Sequence, residues 1–324
     1  MLLFLKALHP AIALLAFWSI VAAGDVLHPV SVDTQVTIKP TDANFNISAV
    51  STGRFVTSKD GTQIFAEARG NPSKPAVVFI HGFRLGATVF DSIFDDPHWL
   101  SQVYLVRYDT RGHGRSDKPT DATSWASERL AQDFDAVVQS YNLHCPFVLA
   151  WSLGGTHIVD ILSIHPATYL SGIIYNAAIP DTTHLMSVVS PAGVALVLKI
   201  LSFPQAFIEF INLCHPALEW NFYLACLGNG DVQPTIAAGF AGTRSQNSTA
   251  LLNAGRSGEL ALLAIFGADD KLIQKQPALD FISGWKNLTV TTLPNAEHFT
   301  WISQPELFRT TVLEWIAGHR KRGI

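Results

Sequence analysis

The sequence predicts an α/β fold, a mostly parallel eight-stranded sheet with helices on both faces and an inserted helical cap. Three observations carry that expectation. Short, nearly continuous apolar runs recur along the chain, as strands buried on both faces require. Segments with apolar residues at helical spacing alternate with them. One apolar, helix-like block then breaks the alternation between two of the runs.

In order along the chain, residues 1–24 read as a targeting segment. Lys6 precedes an apolar run, and Val21-Ala22-Ala23 offers small residues for cleavage. The run is near the lower limit of a membrane span, so the segment is a signal peptide or an N-terminal anchor. Either outcome puts the remainder on the non-cytoplasmic side, secreted, in a secretory lumen, or membrane-anchored. Sequons at Asn46, Asn247 and Asn287 agree with a glycoprotein. Residues 25–50 read as an irregular arm.

"RFVTSKDG" and "TQIFAEARG" predict an antiparallel hairpin turned at Asp60-Gly61. "PAVVFIHG" (75–82) and "QVYLVRYD" (102–109) predict two buried strands. "SERLAQDFDAVVQSY" (127–141) puts Leu130, Phe134, Val137 and Val138 on one helical face, with Ser127 as the cap. "PFVLAWS" is a strand that runs into the helix "LGGTHIVDILSIH". "GIIYNAA" (172–178), "ELALLAIFG" (259–267) and "LTVTTLP" (288–294) are the remaining strands, and "QPELFRTTVLEWIAG" (304–318) is a closing helix. Residues 51–179 and 257–324 thus form one core. Residues 180–256, helical and apolar, form a cap at the sheet end where such folds bind ligands.

Composition narrows the function. Hydrophobic residues make up 48% of 324, ample for a large core, and a net charge of −4 gives no footprint for nucleic acid. The basic tail His319–Arg322 reads as a solvated terminus. Three cysteines, Cys145, Cys214 and Cys226, leave at least one thiol unpaired within the chain. Cys145, beside a strand, is expected buried, and Cys214 and Cys226 are close enough in sequence to bridge. No CxxC, HExxH or His/Cys cluster suggests a metal, and no cofactor is expected.

The chemistry concentrates at "AWSLGG". Small residues at Ala150, Gly154 and Gly155 allow a sharp strand-to-helix turn that lifts the Ser152 hydroxyl clear of the sheet. A serine needs a positioned base, and the base an orienting carboxylate. His298 follows the last strand, and Asp269 and Asp270 follow the one before it; Asp270 is favoured and Asp269 held in reserve. Phe83, ending "HGF", and Leu153 supply backbone amides for an oxyanion hole. Trp151 and Arg84 are carried as substrate-binding candidates. Arg84 could meet a substrate carboxylate, although it reads first as a solvated loop residue.

In this order and at these intervals, "HGF", "RYDTRGHGRSDKP", "AWSLGG", "GADD" and "AEHFTWISQPELF" resemble the α/β-hydrolase superfamily over about residues 54–318. The likeness is to its esterases, C–C hydrolases, epoxide hydrolases and cofactor-free peroxidases. It implies Ser152 as nucleophile, Asp270 as acid and His298 as base, with Asp109, Arg111 and Ser116 bracing a loop. Relatives that open epoxides carry aspartate at the elbow; a serine implies an acyl-enzyme instead. The expected function is therefore hydrolysis of a small, apolar carboxylic ester. C–C hydrolysis or perhydrolysis on the same residues, and a ligand receptor that retains them, are the alternatives.

Overall fold

β1 (Arg54–Thr57) and β2 (Gln63–Arg69) form the predicted antiparallel hairpin, with Gly61 at φ 92° making its turn. In the computed structural model, which describes residues 53–320, they edge an eight-stranded sheet. The leader, the arm, the sequon at Asn46 and the end of the basic tail lie outside the described residues. β3 (Ala76–Ile80), β4 (Tyr104–Tyr108), β5 (Phe147–Trp151), β6 (Gly172–Asn176), β7 (Leu262–Gly267) and β8 (Leu288–Leu293) complete it. The order is β1-β2-β4-β3-β5-β6-β7-β8, with β2 antiparallel to β4 and every later pairing parallel. β5 and β6 are buried at every position, which is why they read as unbroken apolar runs.

Helices follow the strands as the alternation requires: α1 (Pro97–Gln102), α2 (Ser127–Ser140) and α3 (Thr156–Ile164) in the first part of the core. One local expectation fails. The cap position of α2 falls on Ala126, and the Ser127 hydroxyl instead donates to the buried Asp160 of α3. Ser127 is the first helical residue, and its hydroxyl proton goes to a tertiary acceptor.

Between β6 and β7 the chain is helical: α4 (Pro191–Ser202), α5 (Phe207–Cys214), α6 (Trp220–Val232), α7 (Thr235–Thr243) and α8 (Thr249–Ser257). These helices pack on the loops at the carboxyl ends of the strands. Phe210 meets Phe83 with ring centroids 5.7 Å apart, and Phe222 meets Phe299 at 5.5 Å. Arg244, after α7, forms a buried ion pair with Asp160. α9 (Lys275–Phe281) and α10 (Pro305–Gly318) close the chain.

Cys214 and Cys226, a pairing the sequence left open, are buried free thiols within the apolar core. One cysteine expectation is corrected. Cys145 is half-buried; it occupies the turn before β5, at φ 43°, and lies outside the buried strand that follows.

Candidate active site

Ser152 ends β5 in the left-handed region, at φ 55°, and opens a tight helical turn, Ser152–Gly155, that continues into α3. A non-glycine residue held there stores backbone strain, which persists where the surroundings over-determine it. They do so here. A Cβ at Gly154 would lie 2.6 Å from the carbonyl oxygens of both Ile80 and His81, and one at Gly155 2.5 Å from that of Ile179. The Ile179 amide donates to the Ser152 carbonyl at 2.8 Å. The small residues read from the sequence are therefore a requirement of backbone packing from both neighbouring strands.

His298 and Asp270 arrive from the ends of β8 and β7. Their side chains meet, His298 Nδ1 to Asp270 Oδ2 at 2.9 Å, and both are nearly inaccessible. The other carboxylate oxygen of Asp270 accepts from the amides of Leu272 at 2.8 Å and Ile273 at 3.0 Å, which fixes its orientation. Asp269 is exposed and turned away, its amide bonded to the Ala296 carbonyl. Of the two aspartates, the structure brings Asp270 to the histidine. With Nδ1 committed to the carboxylate, His298 Nε2 is buried and has no hydrogen-bond partner among the described residues. That leaves it available as a proton acceptor.

Trp151 ties the two halves together. Its indole N–H donates to the His298 carbonyl at 3.0 Å, and its ring lies 5.1 Å from the imidazole. Offered by the sequence as a substrate contact, it is 2% exposed and packs among Phe90, Phe299 and Trp301. The alternation of β5 turns its side chain into the core, where its contacts are to His298 and the neighbouring aromatic rings.

The loop after β3 lies against the serine. A Cβ at Gly82 would come within 2.9 Å of Ser152 Cβ, so the residue must be glycine for Phe83 to approach. The Phe83 amide has no acceptor among the described residues. His81 holds this turn. Its Nε2 accepts from the Thr110 amide at 3.1 Å, so Nδ1 carries the proton and donates to the Gly82 carbonyl at 2.9 Å. Burial lowers its pKa and keeps the ring neutral. Leu153 is buried within the helical turn after Ser152.

Asp109, Arg111 and Ser116 brace the neighbouring loops. Asp109 accepts from the Ala87 amide at 2.7 Å and from Arg115, Ser116 donates to the Asp109 carbonyl, and Arg111 reaches Asp133 and Asp60.

Arg84 departs from its first reading. It is 2% exposed, at φ 55°, with its guanidinium beneath α5 and α6 instead of in solvent. Nη2 donates to the Gly230 carbonyl, and the charge sits 5.5 Å from the Phe207 ring. Nε and Nη1 are buried without partners among the described residues. Burial lowers its pKa, against a weaker opposing pull from the exposed Asp231. Phe207, Phe210 and Phe222 around this loop were missed individually; their signal was the apolar character of the helical block.

The alpha/beta hydrolase family model matches residues 77–311. The chain is 30% identical over 166 residues to the protein named probable oxidoreductase EphD of Mycobacterium tuberculosis, covering 51% of this chain and 28% of that one. It is 31% identical over 127 residues to the non-heme chloroperoxidase of Streptomyces lividans, covering 39% and 45%. These matches span less than half of each relative. Among solved structures, the esterase RhEst1 of Rhodococcus sp. ECU1013 shares the fold, with a TM-score of 0.72 at 21% identity over 83% of this chain and 99% of that one. With the eight-stranded topology and a family match running from β3 into the last helix, this chain belongs to the alpha/beta hydrolase family.

Proposed function

We propose that this chain is a serine hydrolase that cleaves a small, largely apolar carboxylic ester through an acyl-enzyme. The observation that carries the reading is the buried Asp270–His298 pair, its Nε2 without a partner among the described residues, tied through Trp151 to the strand that ends at the strained elbow of Ser152. In the forward step His298 Nε2 takes the Ser152 proton as Oγ adds to the ester carbonyl. The oxyanion is held by the amides of Phe83 and Leu153. Collapse expels the alcohol, which receives the proton from His298. Water, deprotonated by the same nitrogen, then releases the acid and regenerates Ser152. Asp270 stabilises the imidazolium at each stage and keeps the tautomer correct.

The helices between β6 and β7 act, on this reading, as an apolar cap, and their phenylalanines support an apolar substrate. Perhydrolysis is the second reading: hydrogen peroxide in place of water on the same acyl-enzyme gives a peracid. It is favoured by the likeness to a non-heme chloroperoxidase. We also propose a secretory or luminal location, supported by exposed side chains at Asn247 and Asn287. The test is fluorophosphonate labelling with peptide mapping, beside a Ser152→Ala control, followed by 4-nitrophenyl esters of increasing acyl length. Label on Ser152 and turnover lost in the variant are expected. A folded protein that takes no label overturns the reading.

A further inference from the structure

Four arginines are buried among the described residues, and three of them meet carboxylates: Arg107 with Glu67, Arg111 with Asp133, and Arg244 with Asp160. Arg84 meets none. Among the described residues no carboxylate lies within ion-pair distance of it, and two of its three guanidinium nitrogens have no hydrogen-bond partner. A guanidinium removed from water with no carboxylate in contact, only the more distant pull of the exposed Asp231, is held at a cost that the paired arginines elsewhere in this chain offset. Its backbone adds strain, with φ 55° at a β-carbon-bearing residue. Neither cost serves the packing of the sheet.

The position explains what the cost serves. Arg84 follows Phe83, whose amide faces the oxyanion site, and stands two residues beyond Gly82, which touches Ser152. Consecutive α-carbons are about 3.8 Å apart, so the Arg84 backbone lies within about 8 Å of Gly82, and its side chain runs from there toward Gly230 and Phe207. The neighbouring surface is aromatic, from Phe83, Phe207 and Phe210. A ligand that satisfies all of this is apolar along its length and ends in an anion.

We infer that Arg84 anchors a carboxylate carried by the substrate, so that the enzyme acts on monoesters of dicarboxylic acids in preference to neutral esters of equal length. The inference rests on the serine-hydrolase reading and narrows its substrate class. The planar carboxylate supplies the acceptors for the unpartnered nitrogens and the missing counter-charge, while the methylene chain covers the phenylalanines.

The test compares mono-4-nitrophenyl glutarate, adipate and suberate with 4-nitrophenyl pentanoate, hexanoate and octanoate, which match in length and leaving group. At the best length, kcat/KM for the anionic ester is expected to exceed that of its neutral partner by about 100-fold, and Arg84→Gln to lower this ratio by about the same factor. Arg84→Lys restores part of it. Free adipate is also expected to raise the Tm of the Ser152→Ala protein, and not that of the Ser152→Ala/Arg84→Gln protein. Neutral esters preferred at all three lengths by the wild type, or an unchanged ratio in Arg84→Gln, overturn the inference while leaving the hydrolase reading standing; water alone would then fill the site. If Arg84→Gln does not fold, the wild-type ratio decides. If no ester of either kind turns over, the hydrolase reading fails, and the adipate-dependent Tm decides whether Arg84 binds a carboxylate.

Discussion

Asp160→Asn is expected to loosen the helical insertion from the helix that carries the serine elbow. Asp160 is fully buried at the centre of a compact network. Its Oδ2 accepts from Arg244 Nε at 3.0 Å and Nη2 at 2.6 Å, and its Oδ1 accepts from Gln246 Nε2 at 2.6 Å and from Ser127. Asparagine keeps the shape and removes the charge. It also turns one of two acceptors into a donor, facing either Arg244 or the Gln246 and Ser127 donors. Breaking a buried pair from one side costs about 3–5 kcal/mol, because the surviving charge is left uncompensated. For a domain of this size each kcal/mol lowers Tm by about 2–4 °C, so a fall of roughly 6–20 °C is expected in a calorimetric scan. Limited proteolysis should open new cleavage sites between α7 and α8. The double variant Asp160→Leu/Arg244→Met removes both charges and is expected to melt above Asp160→Asn. An Asp160→Asn protein melting within about 2 °C of wild type would refute the reasoning, since an exposed pair behaves that way.

Gly154→Ala drives a methyl group to within 2.6 Å of two backbone oxygens of the strand β3 end; overpacking of this kind costs about 1–3 kcal/mol, and the displaced elbow should lower kcat more than tenfold, at about 1.4 kcal/mol per decade. Both are read by melting and by 4-nitrophenyl ester kinetics. Asp270→Asn leaves the packing but releases His298 from its tautomer, and kcat is expected to fall by about 10⁴-fold with little change in Tm. Burial opposes ionisation of Asp60, but hydrogen bonds from Arg111 and Thr62 prevail and hold its carboxyl down to about 2 from 3.8. The folded pKa lies below the unfolded one, so this stability is full above pH 4 and is lost as pH falls through about 2; Asp60→Asn should flatten urea-denaturation midpoints across that window. Expression in a secretory host is expected to give glycan at Asn247 and Asn287, removed by peptide N-glycosidase as two mass steps, each absent from the matching Asn→Gln variant.

The central strands were legible because burial on both faces writes itself as unbroken apolar runs, and Ser152 and Asp270 each follow such a run; His298 follows β8, an edge strand with mostly exposed or half-buried side chains that was read from its Thr/Val/Leu content. Glycines at 82, 154 and 155 were readable as a sharp turn, though not the neighbours that make them obligatory, which come from strands far off in sequence. Arg84 was misread for a related reason. A charged residue after a turn is usually solvated, and nothing local reveals that α5 and α6 close over it. The Asp160–Arg244 pair spans two elements separated by a whole strand and most of the insertion, so no spacing rule could join them. Ser127 proved to be the first residue of its helix, one position past the cap, with its hydroxyl donating to Asp160 on another helix.

The backbone of His298 is held from two sides. Its carbonyl accepts from the Trp151 indole, and its amide donates to the carbonyl of Cys214 at 3.1 Å, the last residue of α5. One hydrogen bond belongs to the serine's own strand and the other to the insertion. The proton acceptor is thus mounted on both bodies at once. Any displacement that carries the end of α5 outward strips the His298 amide of its acceptor and shifts the imidazole relative to Ser152. Entry of a substrate that leaves the acceptor competent must proceed around this end and not through it. A rigid swing of the whole insertion would break this hydrogen bond, whereas a turn of its other helices about the end of α5 would keep it.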